Sequence, residues 1–465
     1  MDLHTLTIAE AAEQIRTRAL SPVELLQACL ARVRALDGVV NSHIVVLEEQ
    51  AIAAAKAAEA EIAGGRYRGP LHGIPVGLKD IYNTAGIATT GHSALFRDHV
   101  PAEDAESVRL LREAGAIITG KLATWEFAIG GSSFDLPWPP ARNPWDPARD
   151  TSGSSSGSAA AVASGFCLGA MGTDTGGSIR GPAAWCGIAG HKPTYGLVSR
   201  RGILPLSFQL DHAGPMCWTA EDCALMLQVL ARHDPQDAGS ADVAVPDYTA
   251  AMMRPVRGLR VGVVRHFFET DLETDPEVVA ACETAIAALR DMGAAVRDVT
   301  MAPYGVYGGI GNLISRVEGF AIHQYWLRRT PEKYGAYGRQ RLMAGAFVSG
   351  ADFVNAQRLR ARLIAEYAAL MQSVDVVVFP TARVPALPIG RDTLGAAAQL
   401  FFTRAFNLLG APALSICDGF SAAGLPLSLQ IGGRPFEDGL VLAVGNALEQ
   451  ALGTRNRRPA LSAVA

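Results

Sequence analysis

Lysine, cysteine and aromatic residues are scarce in this chain, and long apolar runs are missing from it. Among 465 residues, 41 are Lys or Arg and 45 are Asp or Glu, a net charge of −4. With no positive field to track a phosphate backbone or an anionic bilayer, neither nucleic acid nor a membrane is an expected partner. No run approaches the ~18 apolar residues that cross a bilayer, and the first six residues lack a basic stretch followed by an apolar one. The seven cysteines are odd in number and form no C-x-x-C pair. That pattern argues against a disulfide framework and predicts buried free thiols in a cytoplasmic protein. Abundant instead are apolar residues, at 49%, and glycine, at 48, which together describe a chain that buries a large core.

The first ~65 residues read as three helices. Thr7-Ile8-Ala9-Glu10 and Ser21-Pro22-Val23-Glu24 each place a hydroxyl at the N-cap and Glu three later, and the second adds Pro at the first helical position. An Ala-rich helix is expected over 48–63, ending at Gly64-Gly65. From Leu71 onward short β-branched runs, at 115–119, 258–264 and 374–379, alternate with helical patterns at 107–114, 221–230, 276–292 and 356–370. Apolar strands interleaved with helices predict an α/β fold: a single large domain over 1–465, with a mixed, mostly parallel central sheet covered by helices on both faces. The N-terminal helical segment, 1–65, is expected to pack on it. The stretch 231–257, rich in Asp, Pro and Gly, reads as an excursion within that domain.

The chemistry concentrates between Thr151 and Gly181. Two serine-bearing glycine loops flank a helix of small residues, and apolar residues (Phe166, Leu168, Met171) pin them to a core. In Gly176-Gly177-Ser178 the absence of Cβ atoms lets the amides of Thr175, Gly176, Gly177 and Ser178 converge, as an oxyanion hole beside a nucleophile requires. An ordinary tight turn or a phosphate nest has the same spacing. A serine nucleophile needs a base. Of only five lysines, Lys79 lies in an apolar run, Gly73-Ile74-Pro75-Val76-Gly77-Leu78-Lys79-Asp80-Ile81, whose burial would lower the pKa of its amine toward a useful range. An ion pair with Asp80 is the alternative, weakened because neighbours on a strand face opposite sides.

These residues resemble the amidase signature family. The resemblance rests on Lys79 within Gly-Ile-Pro-x-x-x-Lys-Asp, on Gly-Ser-Ser-Ser-Gly-Ser at 153–158 and on Gly-Thr-Asp-Thr-Gly-Gly-Ser-Ile-Arg at 172–180. Asn143-Pro144-Trp145, Lys192-Pro193-Thr194-Tyr195-Gly196, Leu210-Asp211-His212-Ala213-Gly214-Pro215 and Gly424-Leu425-Pro426-Leu427-Ser428-Leu429-Gln430 extend it over nearly the whole chain. It implies a Ser–cis-Ser–Lys triad: Ser178 as acyl-accepting nucleophile, Ser154 as the bridging serine after a cis peptide, and Lys79 as base. Thr175, Gly176 and Gly177 would form the oxyanion hole, Ile129 and Gly130 would line the acyl pocket, and Ser155, Thr173, Asp174 and Arg180 would support the loops. No metal or organic cofactor is implied. Ser152 and Ser156 replace glycines of the commoner family pattern.

Three coincidences fail on context. Gly153-Ser154-Ser155-Ser156-Gly157 fits G-x-S-x-G without the preceding strand of a nucleophile elbow, and 115–121 resembles a P-loop but has Leu122 at the magnesium position and reads as a strand. The histidines His191, His212 and His233 lack metal-ligand spacing. Within the family, the A subunit of the glutamine-dependent tRNA amidotransferase usually carries Gln where this chain has His212, which favours a free-standing amidase; a non-catalytic binding protein on the same fold is a third reading. The expected activity is hydrolysis of small hydrophobic or aryl carboxamides through a Ser178 acyl-enzyme, releasing carboxylate and ammonia or amine. Trp125, Phe127, Phe134, Trp138 and Phe320 are candidates for an apolar pocket. The expected partners are a small-molecule amide and, at most, a second copy of the chain in a homodimer.

Overall fold

A computed structural model describes residues 2–390 and 400–462. The two capping boxes form as the sequence dictates: Thr7 and Ser21 each accept from the backbone three residues on, while Glu10 and Glu24 reach back to the cap amides. They start helices Ile8–Arg16 and Pro22–Val40, and the Ala-rich helix follows at Glu48–Ala63. Between the last two lies a short strand that sequence patterning missed, β1 (His43–Val46).

The remaining strands are β2 (Pro75–Lys79), β3 (Ile117–Leu122), β4 (Arg142–Asn143), β5 (Asp146–Asp150), β6 (Gly169–Asp174), β7 (Ala189–Lys192), β8 (His212–Cys217), β9 (Arg260–Val263), β10 (Ala295–Asp298), β11 (Val376–Pro380), β12 (Ala413–Phe420) and β13 (Pro426–Gly432). The β4–β5 pair is a separate ribbon; the other strands form one sheet in the order β1-β3-β2-β6-β8-β7-β12-β13-β11-β9-β10. The molecule is a single large α/β domain around this mixed sheet, with helices on both faces. Its parallel pairings form two groups, β3-β2-β6 near one edge and β11-β9-β10 at the other, and the strands between them run antiparallel.

The helices read at 107–114, 221–230, 276–292 and 356–370 appear at Glu106–Glu113, Ala220–Leu230, Pro276–Asp291 and Gly350–Leu370. The last begins earlier than its apolar pattern because Ser349 caps it, accepting from the Asp352 amide. Residues 231–257 carry only the short helix Tyr248–Ala251, and side chains of Asp234 and Asp237 tie the stretch to Ser199 and Arg200.

Two features of the sheet position the site. Strands β2 and β6 lie side by side and parallel, so Lys79 and Thr173 come together at their carboxyl ends, the usual place for chemistry in such sheets. The helix Ser156–Ala163 packs hard beneath them: a Cβ at Gly157 would lie 2.4 Å from both the Ser42 carbonyl and the Ala123 amide. Only glycine lets that helix, and the serine loop before it, approach so closely.

Candidate active site

Lys79 is fully buried, and its Nζ lies 2.7 Å from the Ser154 Oγ and 2.7 Å from the Thr173 Oγ1. Desolvation pushes the amine down to about 7, against the opposing pull of Asp211 and Asp174. Asp80 faces the other way and pairs with Lys121 at 3.2 Å, both side chains being wholly buried. The ion-pair alternative for Lys79 is therefore removed by strand alternation, and the lysine of the P-loop-like run has a structural partner.

The Gly153–Ser154 peptide is cis. A Cβ at Gly153 would lie 2.3 Å from the Trp125 ring, and the Ser154 carbonyl accepts from the Trp125 amide at 3.1 Å, so this indole backs the serine loop. The second loop is joined to the first: the Ser155 amide donates to the Ser178 carbonyl at 3.2 Å, and the Ser155 Oγ bonds the Thr173 main chain.

Asp174 organises the Ser178 loop. Its carboxylate accepts from the Gly177 amide at 2.6 Å, from the Ile179 amide at 3.2 Å and from Arg180 Nε and Nη2 at 2.9 Å each. Burial alone would raise its pKa; Arg180, with hydrogen bonds from it and from Asn407, holds it below the usual carboxylate range. Arg180 continues to Gln430 Oε1 at 2.6 Å and Asn407 Oδ1 at 2.7 Å. One expectation changes here. The Gly177 amide, expected in the oxyanion hole, is spent on Asp174, because a φ of +132° turns it inward. For the amides of Thr175, Gly176 and Ser178 no acceptor lies among the described residues.

Ser178 opens onto a cavity lined by Trp125, Ile129, Gly153, Thr175, Gly176, Gly177, Arg341, Phe401, Thr403 and Arg404, among others. Ile129 is on this wall. Gly130 is behind it, its carbonyl accepting from Arg341 Nη1 at 3.1 Å. Of the five aromatic candidates only Trp125 lines the cavity. Phe127 belongs to the main core, against His323 and Tyr334, and Phe320 packs against that core. Trp138 meets His92 edge-on, and Phe134 is half-buried elsewhere. The cavity's distinctive groups are two arginines that sequence reasoning missed. Burial lowers both guanidinium pKa values, that of Arg404 to about 10. Among the described residues there is no group of three or more His, Cys, Asp or Glu that could hold a metal ion.

His212 does not mark a subclass by its chemistry. It is buried, its Nδ1 sits 2.7 Å from the Leu210 carbonyl and 3.2 Å from the Asp174 carbonyl, and burial holds its pKa well below the ordinary value. A side chain that bonds backbone at this position is replaceable by an amide.

The Amidase family profile matches residues 24–442. The A subunit of the glutamyl-tRNA(Gln) amidotransferase of Chloroflexus aurantiacus is 38% identical over 486 residues, covering 99% of each chain. The solved structure of the protein of the same name from Thermotoga maritima superposes with a TM-score of 0.84 at 31% identity, over 100% of this chain and 99% of that one. A structure described as part of a vestigial complex revealing the origins of an s-triazine catabolic enzyme gives 0.91 at 29% identity, over 96% and 99%.

These likenesses overturn two expectations. A free-standing hydrolase of hydrophobic or aryl carboxamides is not what the relatives' name describes; they are named as one component of an amidotransferase. The expected partners, a small-molecule amide and at most a second copy with nucleic acid excluded, fall with it. Net charge reports the average field of one chain and is blind to what an assembly containing it handles. A sequence that matches the family profile along most of its length, on a fold shared with solved amidases, settles membership: the chain belongs to the Amidase family, enzymes that act on the carbon–nitrogen bonds of amides.

Proposed function

We propose that this chain is the amide-cleaving component of an amidotransferase-type enzyme, with Ser178 as nucleophile, Ser154 as relay and Lys79 as base. The observation that carries the reading is the buried Lys79 amine, lowered to about 7 and 2.7 Å from the Ser154 hydroxyl, at the foot of the Ser178 loop. The neutral amine takes the Ser154 proton while Ser154 takes that of Ser178. The Ser178 Oγ then bonds to the carboxamide carbon, and the negative oxygen meets the free amides of the 175–178 turn. Collapse breaks the C–N bond, the proton on Lys79 returns through Ser154 to the leaving nitrogen, and ammonia departs. Water, deprotonated along the same path, releases the acyl group as a carboxylate. Thr173, Ser155, Asp174 and Arg180 hold the geometry.

Support for an assembly comes from the name of relatives that match end to end. The seven free, buried cysteines are consistent with a cytoplasmic setting, and among the described residues no helix is long and apolar enough to cross a membrane. The test is ammonia release from primary carboxamides, measured for the chain alone and after co-purification from its native cells with whatever subunits accompany it. Faster release by the co-purified assembly, with stoichiometric labelling of Ser178 by a fluorophosphonate, is expected. An unaccompanied chain with faster turnover of anilides than of primary amides would refute the proposal.

A further inference from the structure

Ser152 combines a constrained backbone with an uncommitted hydroxyl. Its φ is +61°, in the left-handed region that glycine enters freely and a residue with a Cβ enters only at a cost in free energy. The commoner family pattern has glycine at this position and at 156, where this chain has serine twice. The two serines differ in use. The Ser156 Oγ donates to the Ala123 carbonyl at 3.3 Å, whereas the Ser152 Oγ makes no hydrogen bond among the described residues.

Neighbouring groups hold that backbone in place. The Ser152 amide donates to Asp150 Oδ1 at 2.8 Å, and its carbonyl accepts from Thr151 Oγ1 at 2.8 Å. The same Asp150 oxygen accepts from Ser132 Oγ at 3.0 Å, and Ser132 Oγ accepts from Trp125 Nε1 at 3.3 Å, which ties the loop to another wall of the cavity. Residues in sparsely populated backbone regions persist where their surroundings over-determine them, and they concentrate at sites of function. Both peptide groups of Ser152 are committed to the fold; its side chain is not.

Ser152 lies on the wall of the Ser178 cavity with Gly153 and Phe401. A Cβ at Gly181 would lie 3.1 Å from the Ser152 Oγ and 3.5 Å from the Phe401 ring, so the hydroxyl and that ring crowd the same glycine. Ser152 also stands two residues before Ser154, the proposed relay that hands a proton to the departing nitrogen. This loop therefore bounds the leaving-group side of the cavity, across from the turn that meets the oxyanion.

We infer that Ser152 selects donors whose scissile nitrogen is unsubstituted: its Oγ accepts a hydrogen bond from the leaving –NH2, and its side chain fills space that an N-alkyl or N-aryl group needs. This rests on the acyl-transfer reading and adds a specificity residue to it. Glycine at the same position offers neither the acceptor nor the bulk. One methyl group more in a shaped pocket is worth about ten- to two-hundredfold in discrimination, enough to separate a primary from a secondary amide.

The test compares kcat/KM for two primary amides, glutamine and butyramide, with that for the derivative of each methylated on the amide nitrogen, read as release of ammonia or methylamine. The wild-type protein, with any subunits that co-purify, is expected to favour the primary amide of each pair by about tenfold or more. Ser152→Gly relaxes the backbone and should fold; it is expected to cut that ratio about tenfold, losing rate on the primary amide and gaining it on the methylated one. Ser152→Ala keeps the bulk without the acceptor, so it should slow the primary amide and still reject the methylated one. An unchanged ratio in Ser152→Gly, or a wild-type protein that prefers neither amide, would overturn the inference and leave the catalytic proposal standing. No turnover of any of the four would overturn it too, and Ser178 labelling by a fluorophosphonate, measured separately, would tell whether the catalytic proposal falls with it.

Discussion

At the scale of single residues, the proposed triad could be named from the sequence because its members sit in glycine-bounded motifs where their residue types are conspicuous. Lys79 stood out among five lysines, and the structure places its amine against Ser154. Ser178→Ala should leave below ~1% of wild-type turnover and abolish fluorophosphonate labelling, and Lys79→Ala should do equal damage because the three groups act as a unit. Label uptake by Ser178→Ala would assign the nucleophile elsewhere. The pH profile follows from the same amine. Below about pH 7 it is protonated and cannot accept from Ser154; above, it is free, so kcat/KM should climb through about 7 and level off near 8. A flat profile from pH 6 to 9 would rule out Lys79 as base. The cavity arginines were illegible for the opposite reason: most of the 41 cations are arginines, and only folding separates Arg341 and Arg404 from those on the surface. The engagement of the Gly177 amide by Asp174 was equally hidden, since residue order does not say which of four consecutive amides a nearby carboxylate will claim.

At the scale of elements, legibility followed the strength of local chemistry. The two capping boxes fixed helix starts to the residue, because hydroxyl and carboxylate satisfy amides that any other sequence would leave bare. The helix Tyr304–Arg329 escaped notice because five glycines, at 305, 308, 309, 311 and 319, dilute its propensity, and tertiary packing supplies what the sequence withholds. Contacts between elements were beyond the pattern altogether. Glu449, on the helix Asp438–Leu452, accepts from the Ala220 amide at 2.9 Å and so clamps the start of the helix Ala220–Leu230; Asp222 on that helix accepts from the Ala9 amide at 3.0 Å. Burial pushes Glu449 up to about 8 and Asp222 up to about 7. The folded protein thus holds protons that the unfolded chain has released, and the stability they confer is full below about pH 4.5 and is lost as pH rises through about 8. Glu449→Gln keeps the carbonyl acceptor and removes the charge. It should flatten the alkaline decline and melt above wild type at pH 9, by about 1 kcal/mol or more, since a tenfold difference in proton affinity between folded and unfolded chains is worth ~1.4 kcal/mol. Parallel thermal curves for the two proteins across pH 5–9 would show that Glu449 does not titrate in this range.

At the scale of the whole molecule, alternation of strands and helices announced an α/β sheet, but apolar runs do not reveal strand direction once both faces are covered. The antiparallel centre, β8, β7, β13 and all of β12 but its last two residues, is as buried as the parallel β2 and β6. The N-terminal helices carry little of the chemistry, but their segment is woven into the sheet. Strand β1 pairs antiparallel with β3, bringing Val46 opposite Gly120, and the Ser42 carbonyl accepts from the Ala123 amide at 2.8 Å beside the helix that supports the serine loop. Arg32 Nε donates to the Ser164 carbonyl, and Arg458, near the other end of the chain, donates to the Thr5 carbonyl at 2.7 Å. Ile8, Ala11 and Ile15 belong to the main core, and Val33, Leu36 and Val40 pack with Ala159–Val162 beneath the serine loop. Removing residues 2–65 would bare the edge of β3, strip one wall from two apolar clusters and leave Asp222 buried without the Ala9 amide. The truncated chain should therefore accumulate as insoluble protein, and any soluble fraction should fail to label with a fluorophosphonate. Supplying 1–65 as a separate polypeptide during refolding should recover labelling, because these contacts are non-covalent and specific. A soluble, labelling-competent fragment lacking 1–65 would instead make the segment an accessory, and the serine loop self-supporting.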